Sequence, residues 1–198
     1  MNKIVEDKIL ITGTGRSGTT IIVKLLSLLG LDTGYQNLSD KEIENQINQE
    51  SRGGLEHYLN NLSYTYPLIV KAPQFWSQIP NLKHRYNIKA VFVPIRDLKE
   101  TAKSREKHGD SPGGLWEASN AKEQEIHNTK VVYQIAIDCA DADIPLIYIS
   151  FSRFMTDAAY AYKIVQEFVH IGNQNEVYPD NFMEVYNNVI DIAKITTK

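Results

Sequence analysis

Four short apolar runs punctuate the chain: "KILIT" (8–12), "YPLIV" (66–70), "KAVFVPI" (89–95) and "IPLIYIS" (144–150). None alternates strictly between apolar and polar positions, and Val, Ile and Tyr are frequent, which is the pattern of strands covered on both faces. The stretches between them read as helices, at 18–29, 40–50, 97–107, 120–142, 153–170 and 181–195. The second of these opens with the pattern Ser39-x-x-Glu42, in which the two side chains close the first turn reciprocally. Strands alternating with helices predict an α/β chain, three layers deep, with a mostly parallel central sheet. Right-handed crossovers would place helices on both faces and the functional crevice beyond the carboxyl ends of the strands.

The junction between the first run and the first helix is "GTGRSGTT" (13–20). Strand, glycine loop and helix in that order form a P-loop, so the sheet is expected to have the architecture of P-loop nucleoside triphosphate hydrolases. Backbone N–H groups of 15–20 then converge at a helix N-terminus and make an anion cup. Gly15 and Gly18 let the main chain approach a ligand closely, Ser17, Thr19 and Thr20 add hydroxyl donors, and Arg16 adds a forked positive charge. A triphosphate loop of the form G-x-x-x-x-G-K-[ST] would carry Lys at position 19, where this chain has Thr19. It would also have a carboxylate at a strand end to support Mg²⁺. Here "YPLIV" runs into Lys71, "IPLIYIS" ends in Ser150, and only Asp97 stands close to such a position. Metal-dependent phosphoryl transfer is disfavoured on these grounds, and no metal is expected.

Composition narrows the reading further. With 198 residues, 42% of them hydrophobic and 23% charged, one domain over 1–198 with a sizeable core is expected. The formal net charge is −3, with Lys and Arg scattered, so no basic face suits a nucleic-acid track. Cys139 is the single cysteine, which excludes an internal disulfide and a cysteine-cluster metal site. The opening "MNKIVEDKILITG" carries acidic residues ahead of its apolar run and reads as a first strand, not a secretion signal. No apolar segment approaches the roughly 20 residues of a membrane span. A soluble, cytoplasmic protein is expected.

The loop resembles the 5′-phosphosulfate loop of the sulfotransferase family, in which a basic residue precedes Ser-Gly-Thr-Thr. A second segment, "VFVPIRDLKETAKSR" (91–105), resembles the family's 3′-phosphate motif, an Arg at a strand end followed eight residues later by a Ser on the next helix; Arg96 and Ser104 have that spacing. Eight residues are a little over two helical turns and return a side chain to nearly the same face. "VKAPQFW" (70–76) is similar to a Lys-x-Pro segment that points its lysine, here Lys71, toward the transferred group. "LIYISFSRFMTDAAYAYKIVQEFV" resembles the strand, loop and helix that close the fold in bacterial-type members. Together these cover 8 to about 170.

The resemblance implies a donor, 3′-phosphoadenosine 5′-phosphosulfate (PAPS), gripped at both ends: the 15–20 cup on the phosphosulfate, Arg96 and Ser104 on the 3′-phosphate. Without Ser104, Arg96 would read better as a strand-end salt bridge with Asp97 or Glu100. Arg16 is assigned to charge developing on the bridging oxygen and Lys71 to the sulfuryl oxygens or leaving phosphate, against a solvated strand-end lysine. The implied acceptor is a small molecule or saccharide with a hydroxyl or amine. Its general base stays open among Glu56 and His57 in "RGGLEHYL", and Glu106 and His108 beyond the second motif. The family's C-terminal Arg-Lys-Gly clamp has no counterpart after 170, leaving Arg153 or a flexible segment to cover the adenine. Phe75, Trp76 and Trp116 are candidates for stacking, with core packing as the plainer role, and 108–119 for an acceptor wall. His84, His127 and His170 read as structural or solvent-facing. Two rival readings remain, a P-loop kinase or NTPase using ATP and Mg²⁺, and a nucleotide-binding protein without catalysis.

Overall fold

The computed structural model describes residues 5–49, 54–60, 64–109 and 114–196. Strand β1 (Asp7–Ile11) leads into helix α1 (Thr19–Leu28), then α2 (Asp40–Gln49), β2 (Ile69–Lys71), a 3-10 turn (Pro73–Ser77) and the short α3 (Ile79–Leu82). Strand β3 (Asn87–Ile95) follows, then α4 (Leu98–Glu106), α5 (Ala121–Ala142), β4 (Leu146–Ser150), α6 (Phe151–Thr156), α7 (Ala158–Gly172) and α8 (Pro179–Thr196). The sheet has the order β2-β1-β3-β4 with every neighbouring pair parallel, so β1 lies between its two sequence-distant partners. This is the expected α/β arrangement with a parallel sheet and a P-loop.

Side-chain alternation builds two cores. Ile9 and Ile11 of β1, with Ala90 and Phe92 of β3, pack on α1, α7 and α8 through Ile22, Leu25, Phe168 and Ile190. Leu10, Val91 and Val93 face the opposite layer, where Val131, Ile135 and Cys139 of α5 meet Phe75 and Ile79. Burial on both faces explains why these runs read as continuous apolar stretches.

Local signals set the element ends. Ser39 and Glu42 form the reciprocal cap: the Ser39 N–H donates to Glu42 Oε2 at 2.8 Å, and the Glu42 N–H donates to Ser39 Oγ at 3.4 Å. Asp97 caps α4 by accepting the Glu100 N–H at 2.8 Å. The helix expected over 153–170 is two helices, because Asp157 leaves helical geometry and accepts the Tyr160 N–H, opening α7 as a new helix. The strand expected at 66–70 begins at Ile69 instead, after Pro67, and extends through Lys71. Among the described residues no helix is long and apolar enough to cross a membrane.

Candidate active site

The strand order reverses between β1 and β3, the switch point at which open parallel sheets bind ligands beyond their carboxyl ends. The 13–18 loop leaves β1 there, anchored by the Thr12 N–H on Phe92 O at 3.1 Å and by Thr12 Oγ1 on Pro73 O at 2.9 Å. Gly15 at φ 65°, Arg16 at 57° and Gly18 at 100° all take left-handed conformations, the last as the cap of α1. Among the described residues no side chain caps α1 and no acidic residue sits in its first turn, so none of these side chains offsets its positive dipole end. Ser17 is buried, and its Oγ has no hydrogen-bond partner. Gly18 is required sterically as well, since a Cβ there would sit 2.0 Å from the ring of Phe151.

Lys71 reaches the loop from β2. It is 1% exposed, so it is no solvated strand-end lysine. Its Nζ donates to Thr20 Oγ1 at 3.2 Å, to Gly54 O at 2.6 Å and to Glu56 Oε1 at 3.2 Å. The segment carrying Glu56 docks on the end of β2 through its neighbour: the His57 N–H donates to Lys71 O at 2.8 Å, and the Lys71 N–H to His57 Nδ1 at 3.3 Å. Burial, and then the Lys71 charge, push the His57 imidazole down to about 4, so it is neutral at ordinary pH with its Nδ1 lone pair committed.

The four candidate bases therefore separate. Glu56 pairs with the Lys71 ammonium that touches the loop, whereas His57 meets Lys71 through the lysine's backbone groups. Glu106 accepts the Ala121 N–H at 2.7 Å and serves the start of α5. His108 Nε2 accepts from the Arg16 guanidinium at 2.7 Å.

Arg96 stands half-buried just past the end of β3, its guanidinium 5.9 Å from the centre of the Phe151 ring, the same ring that covers Gly18. Among the described residues it forms no salt bridge; Asp97 is taken up as the α4 cap and Glu100 pairs with Lys103 at 3.3 Å. Ser104 is half-buried on α4, eight residues after Arg96. Arg153 pairs with Asp157 at 3.0 Å and lies over Tyr160.

One residue in the loop's surroundings was not singled out from the sequence. Arg105 of α4 is 6% exposed, and its Nη1 donates to Thr14 O at 3.3 Å. A Cβ on Gly15 would lie 2.5 Å from that same nitrogen. Its guanidinium lies 5.5 Å from the centre of the Trp116 ring, which meets Trp76 and His127 edge-on or tilted. Phe75, by contrast, is core. Of the 108–119 loop, 110–113 lie outside the described residues. Among the described residues no group of three or more His, Cys, Asp or Glu could hold a metal ion.

Neither a family model nor a curated protein sequence matches the chain. Solved structures do. The sulfotransferase domain from the curacin biosynthetic pathway superposes with a TM-score of 0.59 at 14% identity, over 93% of this chain and 79% of that one. The fold is sulfotransferase-like. The sulfotransferase domain of the Synechococcus olefin synthase gives 0.50 at 13% identity, over 94% and 80% of the two chains. The sulfotransferase STF1 from Mycobacterium tuberculosis gives 0.52 at 11%, over 93% and 71%.

Proposed function

We propose that the chain, as one domain over 1–198, is a sulfotransferase moving a sulfuryl group from PAPS to a hydroxyl or amine acceptor. The observation that carries this reading is the pairing of buried Lys71 with Thr20 and Glu56 at a loop that has no lysine of its own. A cation and a carboxylate side by side at an anion cup suit transfer of an anionic group to a protic acceptor.

In this reading the loop N–H groups with Ser17, Thr19 and Thr20 hold the 5′-phosphosulfate, and Arg16 offsets charge growing on the bridging oxygen. Lys71 supports the sulfuryl oxygens. Arg96 and Ser104 hold the 3′-phosphate. Glu56 takes the acceptor proton as the new S–O bond forms and the bond to the bridging oxygen breaks, releasing adenosine 3′,5′-bisphosphate. The residues themselves supply every charge in this scheme, and no divalent ion is invoked. The structural likenesses support the reading at the level of fold, and the reaction takes place in a soluble setting.

Thermal unfolding with adenosine 3′,5′-bisphosphate, ADP and ATP, each with and without Mg²⁺, tests it. A ligand at 100 times its dissociation constant stabilises by about 2.7 kcal/mol, visible as a melting shift. The bisphosphate is expected to stabilise most, regardless of Mg²⁺, and Arg96→Ala to erase its advantage over ADP. A larger, Mg²⁺-dependent shift with ATP would replace this reading with that of a kinase or NTPase.

A further inference from the structure

Arg105 is a buried cation to which the chain offers almost nothing. Among the described residues no carboxylate lies within salt-bridge distance of it, its Nε is buried without a hydrogen-bond partner, and its one hydrogen bond goes to a neutral carbonyl. A charge in that condition is costly to fold around, because the water it gives up is not replaced. Its position compounds the cost. Burial first, and then the nearby Arg16, lower the Arg105 guanidinium to about 10, so a second cation presses on it from inside the loop.

Three features fix the guanidinium where it is. The Thr14 carbonyl holds one nitrogen, the guanidinium lies over the Trp116 ring, and the absence of a side chain at Gly15 leaves room for Nη1 against the loop backbone. Ser17 Oγ, also buried and unpartnered, belongs to the same loop. Two polar atoms without hydrogen-bond partners, Arg105 Nε and Ser17 Oγ, both on side chains more than nine-tenths buried, thus belong to the loop and its surroundings ahead of a helix that no described side chain caps.

We infer that Arg105 is an anion-binding residue of the loop, taking the 5′-phosphate group of the bound nucleotide and filling electrostatically the place that a lysine at position 19 fills in triphosphate loops. A bound anion would answer the Arg16 and Arg105 charges together. The inference rests on the loop being the anion cup; it does not depend on which nucleotide is the substrate. Arg96 and Arg105 accordingly divide the ligand, the first sensing the 3′-phosphate and the second the 5′-phosphate.

Calorimetric titration of wild type, Arg105→Met and Arg105→Lys with adenosine 3′,5′-bisphosphate, 5′-AMP and inorganic pyrophosphate tests this, alongside urea unfolding of the ligand-free proteins. Arg105→Met is expected to weaken all three probes by about 10- to 100-fold, the loss of a charge-assisted hydrogen bond. Arg105→Lys should recover part of that loss, because charge returns without the fork. Ligand-free Arg105→Met should be at least as stable as wild type, since it removes an unpaired buried charge. If Arg105 merely braces the Thr14 carbonyl, the ligand-free variant will be less stable and the probes will bind with unchanged affinity; that result overturns the assignment, as does wild type binding none of the probes. Failure of the sulfotransferase reading looks different: the 3′-phosphate would bring no gain over 5′-AMP, while the Arg105 effect on pyrophosphate persisted.

Discussion

Lys71 and Arg105 are both cations buried against the same loop, one arriving from β2 and the other from α4, and their surroundings are opposite. Lys71 has a carboxylate, a carbonyl and a hydroxyl within 3.2 Å, so its charge is answered by the protein. Arg105 has one carbonyl at 3.3 Å and an aromatic face. Burial alone therefore does not mark a ligand-binding cation; burial without a counter-charge does. The answered cation belongs to an ion pair beside the loop, and the unanswered one is the residue inferred to bind an anion.

The largest effect on this contrast is expected from Glu56→Gln. Transfer should slow by about 10²- to 10⁴-fold if Glu56 is the base. Removing the counter-charge of a lysine this buried should also cost about 3 kcal/mol of stability, read by urea unfolding. Were stability unaffected, Lys71 would be no better answered than Arg105 and the contrast would collapse.

His57 sharpens the same comparison through pH. Its folded value of about 4 lies below the ordinary 6.5, so between those limits the unfolded chain binds a proton that the folded chain refuses. Its contribution is complete above about 6.5 and is lost as pH falls toward 4, a change of about 3 kcal/mol at most. His57→Gln should flatten that part of the urea-midpoint profile between pH 7 and 4.5. An unaltered slope would show that Lys71 and the packing around it do not bear on the imidazole.

The smallest effect concerns the aromatic side of Arg105. Trp116→Ala removes the ring beside the guanidinium, a contact worth about 1 kcal/mol, and should weaken pyrophosphate binding by about 5-fold in calorimetric titration. Full retention of affinity would assign the positioning of Arg105 to Thr14 and Gly15 alone.

Much of this arrangement was legible from local pattern. "KILIT" followed by "GTGRSGTT" announced strand, loop and helix because each signal is short-range: apolar run, glycines, hydroxyls. Lys71 enters through the resemblance of "VKAPQFW" to a Lys-x-Pro segment, and the structure places it buried at the end of β2. Glu56 was visible only as one of four candidates, since nothing within "RGGLEHYL" shows that its backbone docks on the end of β2. Arg105 is not legible locally, because a basic residue in the last turn of a helix ordinarily offsets the helix dipole at the surface, which is how "AKSREK" reads. Asp157 was overlooked as a helix boundary because the apolar spacing runs through it unbroken.

The amino-acid sequence by itself determined which segments become strands and helices and where a glycine loop opens a helix, because periodicity, capping and glycine placement act over a few residues. Only the tertiary structure decided which charges meet at that loop. A parallel sheet brings β2 and β3 to either side of β1 from distant parts of the chain, and whether a buried cation is answered depends on the neighbours that this crossing supplies.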